Sequence, residues 1–202
     1  MFDVGIDEAG RGPWAGMVVA SSFVLIDKKK FPRNLLEIIT DSKKVTQKNR
    51  EKIFFELIKL SSLGIVSFGV GVVDNYLIDE INIKQANKEA MRRSLVEIER
   101  KIGLKNIKKI LIDGNDNYFF EGFVKPEFII KGDQKIFEIS CASIIAKVFR
   151  DKLIDTYALL YPEVGFEKHK GYGTKAHKDY LENSKKITGI HRISYKPIKN
   201  LI

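Results

Sequence analysis

Two periodicities run through the chain. Met1 to Ile6 places Phe2, Val4 and Ile6 at a spacing of two, which predicts a short strand with one buried face. Met17 to Ile26 is a long apolar run rich in Val, Ser and Phe, expected to pair back on the first strand. Ile65 to Val73 alternates again and predicts a third strand. Between them, Ile53, Phe54, Leu57, Ile58 and Leu60 recur at spacings of three and four, so Gln47 to Ser61 reads as a helix capped by Thr46 and stopped by Gly64. Lys28 to Lys30 with Phe31-Pro32 reads as a basic turn and loop. Asn82 to Ile102 predicts a long helix, with Ala86, Ala90, Met91, Leu95, Ile98 and Ile102 inward and Arg92, Arg93, Glu97 and Arg100 outward. Lys109 to Asp113 is a continuous apolar run, as in a strand covered on both faces. Glu127 to Lys131 is a fifth strand, Ile136 to about Leu160 a second long helix, and Thr174 to Asn183 a short one capped by Thr174.

Strands first and helix–strand units afterwards indicate an α/β fold, a mixed five-stranded sheet flanked by helices. No Pro- or Ser-rich linker and no repeat divides the chain, so residues 1–202 read as one domain. A basic C-terminal segment from about residue 165 is expected to lie across one end and complete a groove.

Composition adds three constraints. At 202 residues and 44% hydrophobic, the chain can bury a core without staples, and no apolar run approaches the roughly 20 residues of a membrane span. Cys141 is the only cysteine, which excludes an internal disulfide and reads as a small core residue. With no leader pattern at the N-terminus, a reducing, cytoplasmic compartment is expected. The formal charge is +9 and it is concentrated late: Lys168 to Lys199 holds nine Lys or Arg against Asp179 and Glu182. Such a stretch suits a polyanion, whose counterions are released on binding. His169, Tyr172 and Tyr180 interleave with those charges, in keeping with sugar or base contact.

The chemistry sits at predicted strand ends. Asp7-Glu8 closes the first strand and breaks into Gly10-Arg11-Gly12-Pro13. Asp113 closes the fourth strand and Asp133 follows the fifth. Adjacent carboxylates repel unless a cation sits on them, and bare glycines invite the close approach of a bulky group such as a phosphate backbone. Four acids with no His or Cys ligand make a hard oxygen set, suited to Mg²⁺ or Mn²⁺. Two such ions sharing a carboxylate can activate water and stabilise the leaving oxygen of a phosphodiester. The three histidines are too scattered to suggest a zinc site.

Gly5-Ile6-Asp7-Glu8-Ala9-Gly10-Arg11-Gly12-Pro13, Asp41-Ser42-Lys43-Lys44, Leu111-Ile112-Asp113-Gly114-Asn115, Lys131-Gly132-Asp133, Ala142 to Val148, Gly171-Tyr172-Gly173-Thr174 and His191-Arg192 together resemble the motifs of bacterial ribonuclease HII, in the same order and over nearly the whole chain. The resemblance implies a ribonuclease H-like fold and a metal-dependent endonuclease. Its substrates would be the RNA strand of RNA/DNA hybrids and single ribonucleotides embedded in duplex DNA. Cleavage on the 5′ side would leave a 3′-hydroxyl and a 5′-phosphate. Position by position it implies Asp7, Glu8, Asp113 and Asp133 as catalytic metal ligands; of these, Asp7 is the expected bridging ligand. Gly10, Arg11 and Gly12 would contact the ribose 2′-hydroxyl and adjoining phosphates, and Tyr172 the sugar at the RNA–DNA junction.

Other positions stay open to two readings. Lys43 and Lys44 are either solvated at a helix start or, by the resemblance, near substrate phosphates. Ser143 and Lys147, four apart on one helix face, either help hold phosphate or, for Ser143, pack on the sheet. His191 and Arg192 are structural or phosphate contacts. Ile136-Phe137-Glu138 and Trp14 depart from the family pattern; Glu138 is a candidate neighbour of the metals, and Trp14 of the groove. The rival readings are a ribonuclease HIII-like enzyme, disfavoured by Asp133 and by a chain that opens on the catalytic strand, and a non-catalytic duplex-binding module. A monomer is expected, and the Pro197 to Ile202 tail carries no clamp-binding motif.

Overall fold

A computed structural model describes residues 1–40 and 45–201. Five strands, β1 (Phe2–Ala9), β2 (Val18–Leu25), β3 (Val66–Val73), β4 (Ile107–Asp113) and β5 (Glu127–Ile129), form one sheet in the order β3-β2-β1-β4-β5. The pairs β1–β2 and β2–β3 are antiparallel, while β1–β4 and β4–β5 are parallel. The mixed sheet expected from the chain order is therefore present, with β1 at its centre. Ile6 aligns with Ile112 across β1–β4, so Asp7 and Asp113 fall at the next positions of neighbouring strands, at the same rim.

Helices cover both faces. Among them α3 (Asn75–Ile102) packs over β2 and β3, and α4 (Phe137–Leu160) over β1 and β2. Ala86, Ala90, Met91, Leu95 and Ile98 are buried against Val18, Ala20 and Val73 on the first face. On the other, Phe23, Ile144, Ile145 and Val148 meet Leu57 and Ile53 of α2 (Gln47–Ser62) and Leu35 and Ile39 of α1 (Arg33–Thr40). Two strand glycines mark where helix backbone touches sheet. A Cβ on Gly5 would lie 2.2 Å from the Glu138 carbonyl carbon, and one on Gly71 would lie 1.9 Å from the Ala90 oxygen.

Local expectations hold where a cap or stripe is strong. Thr46 accepts from the Asn49 amide and Thr174 from that of His177, each capping its helix. Three expectations need correction. Arg33–Thr40 is helical rather than a continuation of the Phe31-Pro32 loop. The first long helix begins at Asn75, capped by Asp74, and its expected start Asn82 is a kink at φ 65, where the Asn82 side chain accepts from Lys84 and Gln85 and caps the second half. Ile58, placed on the buried stripe of α2, is exposed; the buried residues of that helix are Ile53, Phe54, Leu57 and Leu60.

The C-terminal segment, α5 (Phe166–His169), α6 (Lys175–Ser184) and α7 (Lys196–Lys199), is knitted to the loop after β1. The amide of Trp14 donates to Gly171, that of Gly16 to Ile190, and that of Arg192 to Trp14. No helix among the described residues is long and apolar enough to cross a membrane.

Candidate active site

The four acids occupy one rim of the sheet. Asp7 is buried, accepts the Glu8 amide at 2.7 Å and hydrogen-bonds Ser143 of α4. Asp113 Oδ1 accepts the Gly132 amide at 2.6 Å and the Asp133 amide at 3.4 Å, so it pins the turn that carries Asp133. That turn is entered through Lys131 in the left-handed region, at φ 57. Glu8 accepts Arg11 Nη1 at 3.2 Å, and the same nitrogen reaches Asp116 at 3.3 Å.

The rim holds more negative charge than the chain neutralises. Burial first, then the charges of Glu8 and Asp113, push the Asp7 carboxyl well above the usual carboxylate range. Burial likewise raises Glu8, with Arg11 opposing and Asp113 adding, and raises Asp133, with Asp113 adding. Among the described residues Arg11 is the only cation ion-paired with any of the four. Lys147 is taken by Asp151 at 2.8 Å, and Lys84 by Asp116 at 3.9 Å. As placed, no three of these acids come close enough together to hold a metal ion among the described residues. Their oxygens are held by the Glu8, Gly132 and Asp133 amides and by Arg11. By donor chemistry, an all-oxygen set whose own charges repel, with little protein cation to offset them, suits a hard divalent ion.

Beside the acids lies a cleft of about 390 Å³ between the Gly10–Gly12 loop, Arg50, Ser143, Lys147 and Tyr172. The loop is fixed from behind by Arg192, which is fully buried. Its guanidinium donates to the carbonyls of Gly10 (2.6 Å), Arg11 (3.0 Å) and Gly16 (2.8 Å). In a trans peptide the C=O and the following N–H point opposite ways, so the amides of Arg11 and Gly12 face away from Arg192. Neither has a hydrogen-bond partner among the described residues. Arg150, also fully buried, holds Met17, Ala15 and Lys170 by their carbonyls. No carboxylate pairs with either guanidinium among the described residues, and burial depresses both, Arg150 to about 10.

Tyr172 projects from a turn gripped on both sides. A Cβ on Gly171 (φ +83) would meet the Ala15 oxygen at 2.6 Å, and one on Gly173 would meet the Trp14 ring at 2.1 Å. Lys147 Nζ stands 5.6 Å and the Arg150 guanidinium 5.7 Å from the Tyr172 ring centre, at cation–π range.

Residues 4–198 match the Ribonuclease HII family model. The chain belongs to the ribonuclease HII family. It is 42% identical over 206 residues to the ribonuclease HII of Francisella tularensis subsp. novicida (strain U112), covering 100% of both chains. Among solved structures it is similar to the ribonuclease H2 of Pyrococcus horikoshii OT3 (TM-score 0.74, 27% identity, 100% of this chain and 97% of that one). It is also similar to the RNase HII of Archaeoglobus fulgidus solved in a complex with PCNA (TM-score 0.73, 25% identity, 97% and 96% covered). The likeness to Bst-RNase HIII in complex with Mn²⁺ (TM-score 0.75, 15% identity, 100% and 69% covered) extends to the fold alone. The sequence comparisons make this protein a ribonuclease H, a nuclease, and set aside the reading as a non-catalytic duplex-binding module.

Seen as a ribonuclease HII, the chain places its expected site residues in three groups. Asp7, Glu8, Asp113 and Asp133 share the rim, and Gly10 to Gly12, Ser143, Lys147 and Tyr172 border or approach the cleft. Lys43 and Lys44 lie outside the described residues. His191 and Arg192 belong to the interior, 1% and 0% exposed, so the reading of them as phosphate contacts is corrected to internal support. The glycines also divide. Gly10 (φ +99) is bare because the Arg150 side chain fills its space, whereas an added Cβ on Gly12 meets nothing closer than a Tyr172 ring carbon at 3.9 Å. Glu138 turns toward Asp3 and Lys28 at the other end of β1, away from the acids. Trp14 packs on Gly173 and the His177 ring instead of lining the cleft. Sequence reasoning missed Arg50 in the cleft and Arg150 beneath it. The signal for Arg150 was an arginine at a helix position whose apolar neighbours, Ala146 and Ile154, are both buried.

Proposed function

We propose that this ribonuclease HII cuts on the 5′ side of ribonucleotides, in RNA/DNA hybrids and singly embedded in duplex DNA, leaving a 3′-hydroxyl and a 5′-phosphate. Asp7, Glu8, Asp113 and Asp133 would hold two Mg²⁺ or Mn²⁺ ions, and Asp7, which feels the charge of both Glu8 and Asp113, would be the shared ligand. When bound, such ions lower the pKa of a coordinated water and neutralise charge on the leaving oxygen. The residues of the chain position the substrate. The outward amides of Arg11 and Gly12 donate to the adjoining phosphate and to the ribose 2′-hydroxyl, the group that distinguishes RNA from DNA at one position. Tyr172 packs its ring on the neighbouring deoxyribose, and Lys147 and Arg50 steady phosphate oxygens. Exposed lysines of the C-terminal segment follow the duplex backbone, and the chain works as a single-domain monomer.

The observation that carries this reading is the juxtaposition of a charge-excess acidic rim with a loop whose two free amides and bare Gly12 border the same cleft as Tyr172. The test is cleavage of a duplex containing one ribonucleotide, with Mn²⁺ or Mg²⁺ and with EDTA. Asp113→Asn keeps an oxygen to accept the Gly132 and Asp133 amides, so the fold is expected to persist. Turnover should fall by about 10² to 10³ or more. Cleavage in EDTA, or wild-type turnover by Asp113→Asn, would overturn the metal-site assignment.

A further inference from the structure

The three histidines that looked scattered in the sequence meet in the interior behind Tyr172. His169, His177 and His191 are 7%, 0% and 1% exposed. They surround Phe166 at ring separations of 5.6 to 5.8 Å, and His169 stacks on His177 at 4.3 Å.

Backbone groups fix the proton on each ring. An amide can only donate and a carbonyl only accept. The Thr188 amide donates to His191 Nδ1 at 2.9 Å, so the proton of neutral His191 is on Nε2. That nitrogen lies 2.9 Å from His177 Nε2, which must accept. His177 therefore carries its proton on Nδ1, and Nδ1 lies 3.0 Å from the Tyr172 carbonyl. His169 is set in the same way, accepting the Gly171 amide on Nδ1 at 3.2 Å and donating from Nε2 to Val164 at 2.9 Å. Its own carbonyl accepts the Tyr172 amide at 2.8 Å. A one-directional chain of donors thus runs from the Thr188 amide through two imidazoles to the carbonyl of Tyr172. All three rings stay neutral; burial lowers His177 and His191 to about 4. A core needing only bulk at these positions could use hydrocarbon side chains, whereas this chain ends on the one residue of the C-terminal turn whose ring borders the cleft.

We infer that His177, oriented by His191, is a positioning residue for Tyr172, and through it sets the preference for an isolated ribonucleotide over a continuous RNA strand. This role rests on the reading of Tyr172 as the junction contact. Chains of hydrogen bonds in a low-dielectric interior polarise and reinforce one another. The turn they hold carries its ring in place before substrate arrives.

Two substitutions separate donor position from bulk. His177→Asn keeps an N–H where Nδ1 stands, and His177→Gln moves the donor out to the Nε2 position. Steady-state cleavage of a single-ribonucleotide duplex and of an all-RNA hybrid gives the ratio of the two kcat/KM values. His177→Asn should hold that ratio near wild type, while His177→Gln should lower it about tenfold, the scale of one buried hydrogen bond. Equal ratios in the two variants, both folded by circular dichroism, would overturn the assignment. Long-range proton–nitrogen correlation spectra of histidine-labelled wild-type protein provide the second measurement, independent of any variant. They should contain one Nδ1–H and two Nε2–H rings at neutral pH; three Nε2–H rings would also overturn it. Tyr172→Ala run alongside tells the two proposals apart. An unchanged ratio there removes Tyr172 from junction reading, and a changed ratio there with no change in His177→Gln removes only the histidine role.

Discussion

Arg192→Lys separates geometry from charge in the loop proposed to read the substrate. The substitution keeps a cation at the same buried point, so the potential behind the Gly10–Gly12 loop stays nearly the same. It loses the planar fork, however, and the fork is what reaches Gly10 at 2.6 Å, Gly16 at 2.8 Å and Arg11 at 3.0 Å together. An ammonium on a linear stem holds one of these carbonyls well and leaves about two. A hydrogen bond to a charged group is worth about 1.5–3 kcal/mol, so roughly 3–6 kcal/mol of restraint is lost. Gly10 is buried but Arg11 and Gly12 are exposed, so the released loop recovers part of this from water, and about 3 kcal/mol is the working figure. If that ordering must instead be supplied when substrate binds, kcat/KM falls about 100-fold at 1.36 kcal/mol per decade. Single-turnover cleavage of a one-ribonucleotide duplex at fixed salt measures it, with a melting curve to confirm that the variant is folded. Arg192→Met, which also removes the charge, serves as the comparison. A folded Arg192→Lys within about threefold of wild type would refute the argument that guanidinium geometry presents the Arg11 and Gly12 amides.

Asp7→Asn should melt higher than wild type in metal-free buffer at neutral pH. The folded state raises the Asp7 pKa, so the stability it contributes is complete below the unfolded value and lost as pH rises through the folded one; Asn stays neutral throughout. An unchanged or lower melting point by scanning fluorimetry would count against the unneutralised rim. The buried histidines have the opposite sign: folding depresses them, so their contribution is present above 6.5 and is lost as pH falls toward about 4. The stability difference between wild type and His177→Asn in urea should therefore shrink over that interval, and a constant difference would contradict it. Gly12→Ala has room for its methyl and should melt like wild type while losing kcat/KM, because the methyl fills the approach to the cleft. Gly173→Ala must displace the Trp14 ring and should cost about 1–3 kcal/mol of stability; wild-type stability there would show that the Trp14 contact is slack.

The strands, the two long helices and the capped helices at Thr46 and Thr174 were legible because each depends on residues a few positions apart. A period of two or of 3.6, and a hydroxyl beside three free amides, act within one element. The shared rim of Asp7 and Asp113 was legible too, since a carboxylate at a strand end has a predictable place once the sheet is mixed. The same local reading missed α1, where Leu35 and Ile39 are the buried residues. It also placed Ile58 on the buried face of α2, whereas the side chain is exposed.

The support behind the loop was decided in three dimensions alone. Arg192 and Gly10 are 182 residues apart, yet their hydrogen bond helps determine which way two amides face. The glycines at 5, 10 and 12 look alike in the sequence, and only packing assigns the first to a helix backbone, the second to Arg150 and the third to the open cleft. Which nitrogen of each histidine holds its proton likewise depends on an amide or carbonyl brought from another segment. Short-range pattern determines what each element is and which residue types are available. Direction, proton placement and close approach come from contacts between distant segments, and no local periodicity encodes those.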